Sequence, residues 1–81
     1  MGRFYFHLRA GDELLRDDEG QDFPDASAAR HEAELAAREL LAEAIRTGKG
    51  RVPEAFVIAD ERGREIEIVQ FETVLPKPFK K

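Results

Sequence analysis

The sequence predicts an α+β domain built in the order β-β-α-β-β, an antiparallel sheet with one long helix packed on one face. Three observations carry this. Residues 3–9 alternate strictly between apolar and polar, the period of a half-buried strand. Residues 26–46 repeat small and apolar side chains at helical spacing. Two short apolar runs near the end, 55–59 and 64–71, flank a tight polar turn.

In the first strand, Phe4, Phe6 and Leu8 fall on one side and Arg3, Tyr5, His7 and Arg9 on the other. Ala10-Gly11-Asp12 is turn chemistry, so Glu13 to Arg16 folds back as a second strand. Asp17-Asp18-Glu19-Gly20 breaks the pattern. Asp25, behind Phe23-Pro24, has a short carboxylate that can accept from the unpaired N–H groups of a first helical turn, which makes it the N-cap. The helix is expected from about Ala26 to about Arg46, stopped by Gly48 and Gly50, with Arg46 at the negative end of its dipole. Its core face is read as Ala29, Ala33, Ala36, Ala37, Leu40, Leu41, Ala44 and Ile45. Most of these are small, so helix and sheet approach closely and the phenylalanines of the first strand supply volume.

Glu54 to Asp60 is the third strand, and Asp60-Glu61-Arg62-Gly63 a hairpin turn ending in the residue best suited to positive φ. Arg64 to Phe71 is the fourth strand. Ile66 and Ile68 are expected to point one way and Glu65 and Glu67 the other, with a bulge near Val69. Thr73-Val74-Leu75 is expected to cover an edge. Residues 1–75 then form a single domain and 76–81 a flexible Pro/Lys tail.

Composition narrows function. Eighty-one residues and 9.2 kDa allow one small domain. The hydrophobic share is 42%, but eleven of those residues are alanine, so the core is lean. Without cysteine there are no disulfides, thiolate metal sites or cysteine nucleophiles. The net charge of −4 argues against a general nucleic-acid binder. No long apolar run marks a membrane span. Arg3 is followed by a short alternating segment rather than the apolar stretch of a secretory signal, and the expected compartment is the cytoplasm.

Arg3-Phe4-Tyr5-Phe6-His7, the Asp17-Asp18-Glu19-Gly20 turn, Phe23-Pro24-Asp25 before an Ala/Glu/Arg helix, and the hairpin from Phe56 to Arg64 stand in one order. Together these segments resemble a small alphaproteobacterial family known only as domain of unknown function 6894. The resemblance spans roughly residues 3–75. It implies a free-standing cytoplasmic domain and carries no functional residues with it.

The remaining candidates come from the residues. Asp17, Asp18, Glu19 and Asp22 around Gly20 are oxygen ligands of the kind hard cations take, but their spacing is not that of an EF-hand, and a solvated turn is the preferred reading. His7 and His31 are expected to diverge, one on the sheet and one on the far side of the helix. Ser27 lies in the first helical turn and reads as a helix-start residue. No phosphate-binding glycine loop is present. No catalytic residue, metal ligand or cofactor is therefore expected. The candidate interaction surfaces are the open sheet face with Tyr5, His7 and Arg9, and an outer helix stripe with Leu35, Arg38 and Ala42. The expected function is a small non-catalytic protein-interaction or regulatory module that self-associates or binds an unidentified protein. The alternative is a nucleic-acid-binding module using the sheet face and the basic tail.

Overall fold

The computed structural model describes residues 2–48 and 52–74. It has five strands and one long helix, followed by one turn of 3-10 helix. β1 is Gly2–Ala10, β2 Glu13–Leu15, β3 Gln21–Phe23, α1 Ala26–Thr47, β4 Ala55–Ala59 and β5 Glu65–Gln70, with the 3-10 turn at Phe71–Val74. The sheet is antiparallel in the order β2-β1-β4-β5. β2 pairs with the last three residues of β1 and β3 with the first three. The α+β class and the single covering helix agree with the sequence reading. β3 is an addition to the expected β-β-α-β-β order. The tail at 76–81 lies outside the described residues.

The helix begins where its cap demands. The Asp25 carboxylate accepts from the Ala28 N–H at 2.9 Å, and Gly48, at φ 65°, ends the helix by donating to the Ala44 carbonyl at 2.8 Å. Ala29, Ala33 and Ala37 are fully buried against the sheet. Phe6 and Leu8 lie directly opposite Ile58 and Phe56 on that face. The rings of Phe4, Phe6, Phe23, Phe56 and Phe71 are linked by centroid distances of 5.3–6.2 Å, filling the volume the alanines leave.

The expected helix face is too wide. Leu40 is exposed, and so is Ile45 at 74%. Twenty-two helical residues run about 33 Å, whereas β4 and β5, of five and six residues, cover about 17–20 Å, so the last turns extend past these two strands.

Half of β5 is turned from expectation: Glu65, opposite Ala59, keeps the uncovered face, whereas Glu67 and Ile68 lie on the faces expected for each other. Val69 is buried opposite Phe56, and Glu67 lies opposite Ile58 on the helix side, where it pairs with Arg30 of α1. Ile68 lies opposite Val57, on the face the helix leaves uncovered. The irregular register falls between Ile58 and Ala59, opposite Glu65 to Glu67, rather than near Val69. Glu67 and Val69 thus share one side, and the outward isoleucine follows from the pleat. Among the described residues, no helix is long and apolar enough to cross a membrane.

Candidate functional site

The face turned away from the helix carries the chemistry. On β1 it holds Tyr5, His7 and Arg9, and on β4 the opposed Ala59, Val57 and Ala55. Small residues on β4 leave a floor across which the larger side chains of β1 and β5 stand up.

His7 is not exposed on this face as expected. Only 5% of its surface reaches solvent. The segment between β2 and β3 folds over it, and Asp17 fastens that segment to the edge of β1. One Asp17 carboxylate oxygen accepts from the Phe6 N–H at 3.1 Å, and the other from the Glu19 and Gly20 N–H groups at 3.1 and 3.3 Å. The Asp17 N–H donates to His7 Nδ1 at 3.0 Å. The carboxylate thus fills the gap in the β1 edge between β2 and β3. Burial pushes the Asp17 carboxyl up, but the three N–H donors and the neighbouring imidazole together hold it below its ordinary value.

Gly20 closes this loop at φ +71°. A Cβ there would stand 2.9 Å from Arg3 Cγ and Tyr5 Cε2 and 3.0 Å from the Phe4 carbonyl oxygen. Arg3 secures the same segment, donating to the Glu19 carbonyl at 2.7 Å and pairing with Asp22 at 3.3 Å.

The tautomer of His7 follows from its partner. Nδ1 accepts a hydrogen bond, so the ring's own N–H is at Nε2. In that form Nε2 has no lone pair in the ring plane for a metal or for taking a substrate proton. Among the described residues, no group of three or more His, Asp or Glu is placed to hold a metal ion.

Between the Arg16–Asp18 segment and the hairpin turn lies a cleft of about 230 Å³, lined by Tyr5, His7 and Ala59 together with charged groups from both loops. The rings of Tyr5 and His7 stack along one wall, with centroids 6.5 Å apart and planes 19° from parallel. The opposite wall is the Asp60–Gly63 turn. There the Asp60 carboxylate accepts from the Arg62 and Arg64 N–H groups, both at 2.9 Å, and from Arg64 Nε at 3.0 Å. The bond from the Arg64 N–H is the main reason its carboxyl lies below the ordinary value.

Of the sequence-selected residues, Tyr5, His7 and Arg9 do share the uncovered face, with Tyr5 and Arg9 half-buried. Leu35, Arg38 and Ala42 are exposed on the helix, which packs on the other side of the sheet. The two candidate surfaces are therefore not brought together. His31 is exposed on the helix, away from His7. Sequence reasoning passed over Asp17 as one acid in a solvated turn. The signal was its spacing from Gly20, an aspartate followed three residues later by a glycine, which suits a side chain that caps its own loop.

No curated protein and no solved structure matches the chain. Residues 3–72 match the model of a family described as "Domain of unknown function", DUF6894, and the chain belongs to that family.

Proposed function

We propose that this domain is a non-catalytic protein-interaction module that self-associates through the uncovered face of its sheet. One observation carries the reading. Ile68, 41% exposed, stands on that face beside Val57, with Leu14 on the same face of β2 and Ile66 also exposed at the register irregularity. A sheet face with an apolar centre packs well against a second such face about 10 Å away. The rim supports a second copy as the occupant. Arg3 and Arg9 stand on the β1 side and Glu65 on β5, so one surface offers both signs to its own image. Four strands of about five residues make a footprint of roughly 300 Å². That is small for a stable complex, so a weak, concentration-dependent dimer is expected. The proton on His7 Nε2 supports the non-catalytic part of the reading. A cysteine-free chain suits the reducing cytoplasm, where we place the module.

Sedimentation equilibrium over a wide concentration range tests this. The wild-type mass is expected to rise from 9.2 kDa toward twice that value. Ile68→Glu is expected to stay monomeric with unchanged circular dichroism, and Leu35→Glu to behave as wild type. A wild-type monomer at every concentration, or an Ile68→Glu dimer, refutes the proposal. Nucleic-acid binding is the competing outcome, read by anisotropy with short single strands. The four carboxylates lining the cleft beside Tyr5 count against it, because they repel a phosphate backbone.

A further inference from the structure

We propose that residues 75–81 of this chain, Leu75-Pro76-Lys77-Pro78-Phe79-Lys80-Lys81, dock along the apolar groove at the end of the helix, with Phe79 in the groove and the lysines against Glu54 and Glu72. The groove lies where α1 runs past β4 and β5, so the proposal goes beyond self-association through the uncovered sheet face and does not depend on it.

The groove has a volume of about 440 Å³, inside the usual range of ligand pockets. Leu41, Val52, Pro53 and Phe71 supply its apolar lining, and Glu54 and Glu72 its charge. The backbone behind it is pinned. The Glu54 N–H donates to the Arg9 carbonyl at 2.7 Å, and the Phe71 N–H donates to the Glu54 carbonyl at 2.9 Å. Its apolar surface is left partly open. Val52 is 44% exposed, and Ile45, one turn beyond Leu41 on the same side of the helix, also reaches solvent. The overhang is the cause, since the last turns of α1 keep apolar side chains where β4 and β5 no longer run beneath them.

Position, charge and pattern select the occupant. Phe71 and Glu72 belong to the 3-10 turn that ends at the buried Val74, so the segment from Leu75 onward starts beside the groove. A segment tethered so closely is held at a roughly millimolar effective concentration and docks even when its intrinsic affinity is weak. The Glu54 and Glu72 carboxylates make no ion pair and no hydrogen bond among the described residues. Residues 75–81 carry three lysines and no acid, in a chain whose net charge is −4. The two surfaces are therefore complementary. Pro76 and Pro78 favour an extended backbone of about 3.1 Å per residue, so Phe79 reaches about 16 Å from Val74. Proline-bearing segments lose little freedom on docking and seat in grooves lined by aromatic rings, the role Phe71 fills here.

A spin label tests the proposal. The chain has no cysteine, so Lys81→Cys in the full chain takes a single nitroxide. Nitrogen–proton correlation spectra then show which amides the label broadens. The expected targets are Leu41, Val52, Phe71 and Glu72, at a dilution where sedimentation shows a monomer. Glu54→Lys with Glu72→Lys, at two exposed positions, should keep the fold and lower the docked population about five-fold, the scale of two exposed ion pairs. Adding Lys77→Glu and Lys80→Glu to that variant should restore the broadening. Phe79→Ala should lose it, and Ile68→Glu should match wild type, which separates this result from that on self-association. Broadening that is absent or spread evenly over the surface, or that is indifferent to the charge reversal, overturns the proposal. A mixture of isotope-labelled chains with separately spin-labelled ones identifies a different occupant. Broadening of equal strength in that mixture means that a second copy supplies the segment, and overturns docking within one chain.

Discussion

Replacing Asp17 by alanine removes one side chain that serves three backbone donors. The Phe6 N–H is the most sheltered, and its bond to a charged oxygen at 3.1 Å contributes about 1.5–3 kcal/mol. The Glu19 and Gly20 bonds, nearer the surface, add about 0.5 kcal/mol each. The loss is then roughly 3 kcal/mol. An 81-residue domain has a total stability of about 4–12 kcal/mol. At about 4–8 °C per kcal/mol, the melting temperature should fall by roughly 10–25 °C. Thermal unfolding followed by circular dichroism at neutral pH and one fixed protein concentration measures this. Asp17→Asn keeps one acceptor oxygen and should fall between wild type and alanine. Hydrogen exchange at Phe6 should accelerate in Asp17→Ala. A melting temperature within about 3 °C of wild type would show that the loop is held by something other than this carboxylate.

The same group sets a pH dependence. Asp17 titrates lower in the folded chain than in the unfolded one, so its contribution is complete above the unfolded value, about 4, and fades as pH falls through the lower folded value. Wild type and Asp17→Ala should therefore converge in stability between about pH 5 and pH 2, as urea titrations at a series of pH values would show. Gly20→Ala meets both a positive φ and contacts near 3 Å, and should cost about 2–4 kcal/mol, read from the urea midpoint. A midpoint unchanged from wild type would mean that the loop relaxes away from Arg3 and Tyr5.

Much of the fold was legible because local chemistry and tertiary packing agree. Asp25 and Gly48 mark helix ends by bonds each makes within one turn, and β1 alternates because one of its faces meets the helix. β3 was not legible, since Gln21-Asp22-Phe23 has no periodicity and its pairing depends on a loop closed by Asp17 and Gly20. The side assignment of β5 failed for a different reason. Hydrophobicity favours turning Ile68 inward, but the register with β4 places Glu67 there, and Arg30 on the helix supplies its counter-charge. The candidate surface was legible as a face, with Tyr5, His7 and Arg9 together. Which of them the loop covers was not, because that is decided by contacts ten or more residues apart.

The position of β1 also bears on synthesis. β1 pairs with β2, β3 and β4, yet Tyr5 and its β4 partner Ala59 are 54 residues apart. At about 5–20 residues per second, the ribosome takes roughly 3–11 s to make that stretch. Throughout that interval Phe4, Phe6 and Leu8 await Phe56 and Ile58, and the neighbours made soonest are two three-residue strands and a helix. β1 therefore completes its pairing only once the hairpin of β4 and β5 is available, and that hairpin brings the strand whose five residues are all buried.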